Sequence, residues 1–170
     1  MEIIWHSYEL RPKGSPPIPP EYLARIKATE PRLVKMAREQ YGLELNRGPM
    51  GISSRSALIG AKVAEAQGKG PQYHAAVLHA YWQRANNIGD IDVLAEIASS
   101  IELERAAFLA ALQDEQYDAQ VEADIEQAYY YGLTGVPALI FGGRYLVSGA
   151  QPYEVLRQVV EKVEVERKRD

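Results

Sequence analysis

A proline at the entrance to a short apolar strand is the feature that most constrains how this chain can fold. Gly135-Val136-Pro137 leads directly into Ala138-Leu139-Ile140-Phe141. Proline has no backbone N–H, so a sheet tolerates it where a strand begins, on an edge or at a bulge. The pair Gly142-Gly143 then predicts a tight turn, and residues 144–149 predict a second strand. The segment therefore predicts a β-hairpin whose first strand begins at Pro137.

An amphipathic helix is predicted after the hairpin. Pro152 suits the first turn of a helix, where its missing N–H is not needed. Apolar residues then recur at helical spacing, at Val155, Leu156, Val159, Val160 and Val163. The C-terminal part of the chain is thus a proline-led strand, a Gly-Gly turn, a strand and a helix.

Residues 132–152 have the sequence Gly-Leu-Thr-Gly-Val-Pro-Ala-Leu-Ile-Phe-Gly-Gly-Arg-Tyr-Leu-Val-Ser-Gly-Ala-Gln-Pro. This sequence resembles the C-terminal half of the DsbA-like thioredoxin family. Within that family it is most similar to the FrnE-type branch of dithiol-disulfide oxidoreductases. Residues 4–12 resemble the strand that follows the active-site helix of this branch. Residues 54–58, 73–77 and 92–98 resemble its helical insertion, so the resemblance covers nearly the whole chain.

This resemblance implies an α/β, thioredoxin-like fold of the DsbA type with a large helical insertion. Residues 1–170 are expected to form a single domain, with 1–12 and 132–165 as the thioredoxin-like part and about 20–131 as the insertion and connecting helix. Strands are expected near 2–9, 137–142 and 144–148. The Val136–Pro137 peptide bond is expected to be cis.

Local patterns predict the helices between these two parts. One helix is expected over 21–28, interrupted at Thr29-Glu30-Pro31, with a second running to Tyr41 and ending at Gly42. Others are expected from Ser53 or Ser54 to Gly68 and from Pro71 onward. Further helices are expected near 93–98, 104–112 and 119–131.

The sequence departs from the family at its N-terminus. The resemblance implies a first strand and a Cys-x-x-Cys motif at the start of a helix, yet residue 1 already aligns with the next strand. We therefore expect an N-terminally truncated fold, with Met1 not the natural start. Thiol-disulfide exchange needs a thiolate, and the chain has no cysteine. The chain itself is expected to be redox-inactive, with no catalytic residue and no cofactor.

The absent strand would lie between residues 3–9 and 138–141. Those two segments are expected either to pair directly or to receive a strand from a second copy, and a homodimer is favoured. The family resemblance also assigns substrate binding to the cis-proline loop, Thr134, Gly135, Val136 and Pro137. There the backbone of Val136 would pair with an extended peptide or protein substrate.

Other classes of function are not indicated. The net charge of −4 gives no basic footprint for nucleic acid, and no signal-like or membrane-spanning run is present, which favours a cytoplasmic location. His74 and His79 would lie about 140° apart around a helix, which does not indicate a metal site. Acidic residues on the helices are interpreted as solvated; they are Glu102, Glu104, Glu122, Asp124 and Glu126.

Three interpretations of function stay open from the sequence. The first is a DsbA/FrnE-type oxidoreductase that lacks its Cys-x-x-Cys segment. The second is a native, non-catalytic module that binds a peptide or a partner. The third is a relative of the glutathione-dependent kappa-class transferases and isomerases, in which serine replaces the first cysteine.

Overall fold

The computed structural model describes residues 2–12 and 14–168, and within them it contains seven helices and two strands. In chain order they are α1 (Pro20–Tyr41), α2 (Arg55–Ala66), α3 (Gly70–Gln83), α4 (Ile91–Ser100), α5 (Arg105–Ala111), α6 (Glu115–Tyr130), β1 (Ala138–Phe141), β2 (Tyr145–Ser148) and α7 (Tyr153–Arg167). The expected combination of a helical insertion with a small sheet is confirmed. The division of residues 1–170 within a single domain stays a prediction.

The hydrophobic core lies among helices α2 to α6. Its largest fully buried side chains are Tyr73, Phe108, Leu94, Val63 and Val121. The rings of Tyr73 and Phe108 pack 5.8 Å apart, beneath Gly60. A Cβ at position 60 would meet Tyr73 Cζ at 2.8 Å, so the absence of a side chain there lets the two rings pack against α2.

Carboxylates fix the starts of three helices in this core. The side chain of Asp90 accepts a hydrogen bond from the second amide of α4, and Asp114 does the same for α6. Glu104 accepts from two amides at the start of α5. These oxygens satisfy N–H groups that have no partner within the helix, which explains where each helix begins.

The predicted interruption of α1 is wrong. Residues 20–41 form one helix that contains Pro31, and it ends at Gly42 as expected, with φ +64°. Proline removes only its own amide from the ladder. Nearby, the Thr29 hydroxyl donates to the carbonyls of Arg25 and Ile26 instead of capping a new helix. Continuing the helix therefore satisfies more backbone groups than breaking it.

The hairpin forms as the sequence predicts. β1 pairs antiparallel with β2, with Ala138 opposite Ser148 and Phe141 opposite Tyr145. Gly142 and Gly143 supply positive φ angles of 58° and 68° at the turn. In the described residues these two strands form the whole sheet.

Helix α7 packs on one face of this hairpin. The Tyr145 hydroxyl donates to Glu166 at 2.7 Å, and Lys162 Nζ lies 4.5 Å from the centre of the Tyr145 ring. Val163 lies so close to Gly142 that a Cβ there would meet Val163 Cγ1 at 2.7 Å. Because side chains alternate along a strand, Ala138, Ile140 and Leu146 lie on the opposite face, away from α7.

The predicted strand over residues 2–9 is wrong. None of these residues has a ladder partner among the described residues, and direct pairing with β1 does not occur. A strand requires a neighbour for its backbone groups, and the two-stranded sheet does not reach this segment. The segment is held by side-chain contacts to the helices.

Candidate functional site

The cis-proline loop lies on the surface at the start of β1. The Val136–Pro137 peptide bond is cis, as expected from the sequence. Val136 is 51% exposed, Thr134 and Pro137 are also exposed, and Gly135 is half-buried. The structure thus brings all four sequence-predicted residues together at one accessible place.

The backbone of this loop continues into an open strand edge. The N–H of Gly149 donates to the carbonyl of Pro137 at 2.8 Å, which extends the β1–β2 ladder by one residue. Hydrogen-bonded residues alternate along an antiparallel strand. Val136, Ala138 and Ile140 therefore direct their backbone groups away from β2, and no described strand lies on that side.

The stretch of chain that carries this edge contains no charged residue. No Asp, Glu, Lys or Arg occurs from Gln127 to Gly143, in a chain that is 25% charged. Exposed apolar and aromatic side chains occur on this stretch and on the adjacent strand: Tyr129 59%, Tyr130 87%, Tyr131 42%, Val136 51%, Ile140 39% and Leu146 48%. The open edge is thus chemically suited to an uncharged, extended polypeptide, which offers the same backbone groups in return.

A second constellation, which the sequence did not reveal, joins the N-terminal segment to α2 and α6. Lys62 Nζ lies 2.7 Å from Asp124 Oδ2, and the same oxygen accepts the backbone N–H of Ser7 at 2.7 Å. Asp124 Oδ1 lies 2.7 Å from His6 Nδ1. The interpretation of Asp124 as a solvated helix residue is therefore wrong, because its side chain is only 13% exposed.

The environment of this pair keeps both groups charged. Burial disfavours the charged form of Asp124, but hydrogen bonds from Lys62, Ser7 and His6 outweigh it and hold the pKa of the carboxyl below its usual value. Burial likewise opposes the charge on Lys62, yet the bond to Asp124 and the nearby Glu65 raise the pKa of the ammonium. The pair is a structural ion pair rather than a reactive acid and base.

Arg55, at the start of α2, holds the segment at a second point. It lies 3.6 Å from the buried Glu9, 2.7 Å from Asp118 and 3.1 Å from Glu122. The hydrogen bond to Asp118 raises the pKa of Arg55 despite partial burial. The Tyr8 hydroxyl also donates to the Leu133 carbonyl at 3.4 Å, which ties the segment to the residue before the cis-proline loop.

His74 lies beside this segment without metal-binding geometry. Its ring stacks on Trp5 at 4.7 Å, and burial lowers the pKa of the imidazole below its usual value. Within residues 2–12 and 14–168, no group of three His, Cys, Asp or Glu side chains is placed to hold a metal ion. The same residues contain no helix long and apolar enough to cross a membrane.

A cis-proline hairpin with a helix on one face, joined to a helical insertion, defines a thioredoxin-like protein of the DsbA type. The chain belongs to the family described as the DSBA-like thioredoxin domain, whose model matches residues 1–161. The family membership implied by the sequence is therefore confirmed.

Three relatives match most of the chain. The uncharacterized protein YwbO of Bacillus subtilis is 28% identical over 94% of this chain and 81% of its own length. A probable DsbA oxidoreductase from Streptomyces coelicolor superposes with a TM-score of 0.80 at 26% identity, over 95% of this chain and 74% of that one. A candidate protein disulfide isomerase from Nitrosomonas europaea shares the fold, with a TM-score of 0.69 at 19% identity, over 89% of this chain and 78% of that one.

Proposed function

We propose that this chain is a FrnE-type member of the DsbA family that binds an extended polypeptide segment at the cis-proline loop and the open edge of β1. One observation carries the proposal: Val136, Ala138 and Ile140 direct their backbone donors and acceptors away from β2, on a stretch of chain without charged residues. Strand addition uses such groups for affinity and shallow apolar surfaces for selectivity. The FrnE branch and a cytoplasmic location stay predictions.

The chemistry that the related oxidoreductases are named for requires a thiolate. The 170 residues contain no cysteine to supply this thiolate. The chain by itself can therefore bind a polypeptide substrate but cannot exchange its disulfides. The bound segment needs no cysteine for recognition, because the edge presents only backbone groups and apolar side chains. An uncharged segment with β-branched residues fits this edge best.

The test uses a fluorescent, end-blocked peptide of alternating valine and threonine, with binding followed by fluorescence anisotropy. We expect saturable binding to the intact chain. The matched probe is the same peptide with an N-methyl group on every backbone amide, which leaves no donor on either edge of the extended peptide and is expected to weaken binding at least tenfold. Equal affinity for the two peptides would refute strand addition, without any variant of the protein being needed.

Two variants locate the binding to β1. Ile140→Pro removes an N–H that points away from β2, so peptide binding should be lost. The N–H groups that bond β1 to β2 belong to other residues and are retained. Ile140→Ala retains that N–H and should bind within a few-fold of the unaltered chain. Circular dichroism establishes that both variants are folded. If Ile140→Pro is folded and still binds the peptide with unchanged affinity, β1 is not the site.

A further inference from the structure

The open edge of β1 is complementary to itself. We infer that, when no peptide occupies this edge, it pairs with the same edge of a second copy of the chain, in antiparallel orientation around a two-fold axis at Ala138. The inference uses the edge described above, but it does not require that the proposed peptide binding is correct. It extends the homodimer expectation by naming the contact and its register.

The register follows from which residues face outward. A two-fold axis at Ala138 places Ala138 opposite Ala138 of the second copy, and Val136 opposite Ile140 of the second copy. Each opposed pair can exchange two hydrogen bonds, because all three residues direct both backbone groups to the open side. Every outward donor from Ala138 to Ile140 finds an acceptor in this arrangement.

The charge distribution permits this contact between identical chains. Two copies of net charge −4 repel each other overall, but the stretch from Gln127 to Gly143 has no charged residue. Solvent-exposed edge strands are commonly protected by lysine, proline or a bulge within the strand. β1 has none of these between Ala138 and Phe141, so nothing in the strand opposes pairing.

Side chains on the exposed face add to the pairing. Val136 is 51% exposed and Ile140 is 39% exposed, and both would lie on the same face of the paired sheet. Opposed β-branched side chains stabilise antiparallel pairs. The paired stretch is short, so the dimer is expected to be weak and to depend on protein concentration.

A single introduced cysteine tests the register, because the chain has no thiol of its own. Ala138→Cys places two thiols directly opposite, with Cα atoms about 5.5 Å apart, within the range that a disulfide can span. Ile140→Cys places its two copies four residues apart along the strand, roughly 14 Å, and should not form one. We expect rapid covalent dimer formation with diamide for Ala138→Cys, and only slow formation for Ile140→Cys and for Gln113→Cys, on the surface between α5 and α6.

A mixture of Val136→Cys and Ile140→Cys chains supplies the complementary result, since these positions are opposed in the dimer. It should give a mixed disulfide faster than either variant alone. Equal rates for all variants would indicate random collision and would overturn the pairing.

Sedimentation velocity of the unaltered chain gives an independent readout. We expect a monomer–dimer equilibrium that shifts to monomer with Ile140→Pro and persists with Ile140→Ala. Saturating valine-threonine peptide should also shift it to monomer, because both partners use one edge. A chain that stays monomeric up to millimolar concentration overturns the dimer and leaves peptide binding to be judged by its own anisotropy result.

Discussion

Lys62 Nζ lies 2.7 Å from Asp124 Oδ2, and the two side chains are only 10% and 13% exposed. The pair joins α2 to α6, and Asp124 also accepts the amide of Ser7 from the N-terminal segment. One carboxylate thus connects three separate parts of the chain. Because no ladder holds the N-terminal segment, this carboxylate and Arg55 hold it to the helices, together with the contacts of Trp5 and Tyr8.

Asp124→Asn should destabilise the fold strongly. The substitution leaves the Lys62 ammonium largely buried without its main counter-ion, and breaking such a pair costs about 3 kcal/mol. Urea unfolding followed by circular dichroism measures the loss in free energy of unfolding. The double variant Lys62→Met/Asp124→Asn also removes the unpaired buried ammonium, so it should recover part of the lost free energy of unfolding. A double variant less stable than Asp124→Asn would contradict this account.

The same carboxylate predicts a pH dependence. The pKa of Asp124 lies below its ordinary value of 3.8 in the folded chain, so the unfolded chain binds more protons at low pH. Its contribution to stability is therefore complete above about pH 4 to 5 and is lost as the pH falls through the lowered pKa. Asp124→Asn should flatten this part of the stability profile. If the free energy of unfolding falls equally steeply at low pH in Asp124→Asn and in the unaltered chain, other groups cause the pH dependence.

Gly60→Ala should destabilise the helical core. The added Cβ would meet Tyr73 Cζ at 2.8 Å and Phe108 Cζ at 2.9 Å, and both rings are fully buried. Overpacking of this kind costs about 1–3 kcal/mol in the free energy of unfolding. Gly135→Ala is the matched control, because a Cβ there meets nothing within 4 Å. Similar melting temperatures for the two variants would contradict this prediction and would show that α2 can move to make room for the added Cβ.

Pro31→Ala should stabilise α1. Proline inside a helix removes one hydrogen bond and crowds the preceding turn, and relief of both effects is worth about 1–3 kcal/mol to the helix. Helix content by circular dichroism and the melting temperature should both rise. Pro19→Ala, at the residue before the helix, gives the control in which no helix hydrogen bond is restored.

The chain by itself should not reduce disulfides. In an insulin-reduction assay with dithiothreitol, turbidity should develop no faster than without protein, because the exchange step needs a thiolate and the chain has no cysteine. A DsbA-type protein with an intact Cys-x-x-Cys motif serves as the positive control. Clear acceleration by this chain would refute its classification as redox-inactive.

Local sequence determined much of the fold. Gly142-Gly143 and the apolar residues around them specified the β1–β2 hairpin, because turn chemistry and alternation act over a few residues. The sequence resemblance to the family located the cis peptide bond at Val136–Pro137 and the loop around it. The helix boundaries at Gly42 and Pro71 likewise followed from neighbouring residues.

Tertiary structure decided the rest. Glu2–Glu9 has a strand-like sequence, but it is not a strand because pairing depends on a neighbour that no local pattern supplies. Pro31 predicts a break in the helix from local sequence, yet the helix continues on both sides of it. Asp124 reads as a solvated helix residue, and only the packing of α2 against α6 brings Lys62 to it across 62 residues of chain. Contacts between distant residues carry no local signature. Local sequence therefore determined the hairpin and most helix boundaries, whereas packing determined whether residues 2–9 pair and which charged side chains meet.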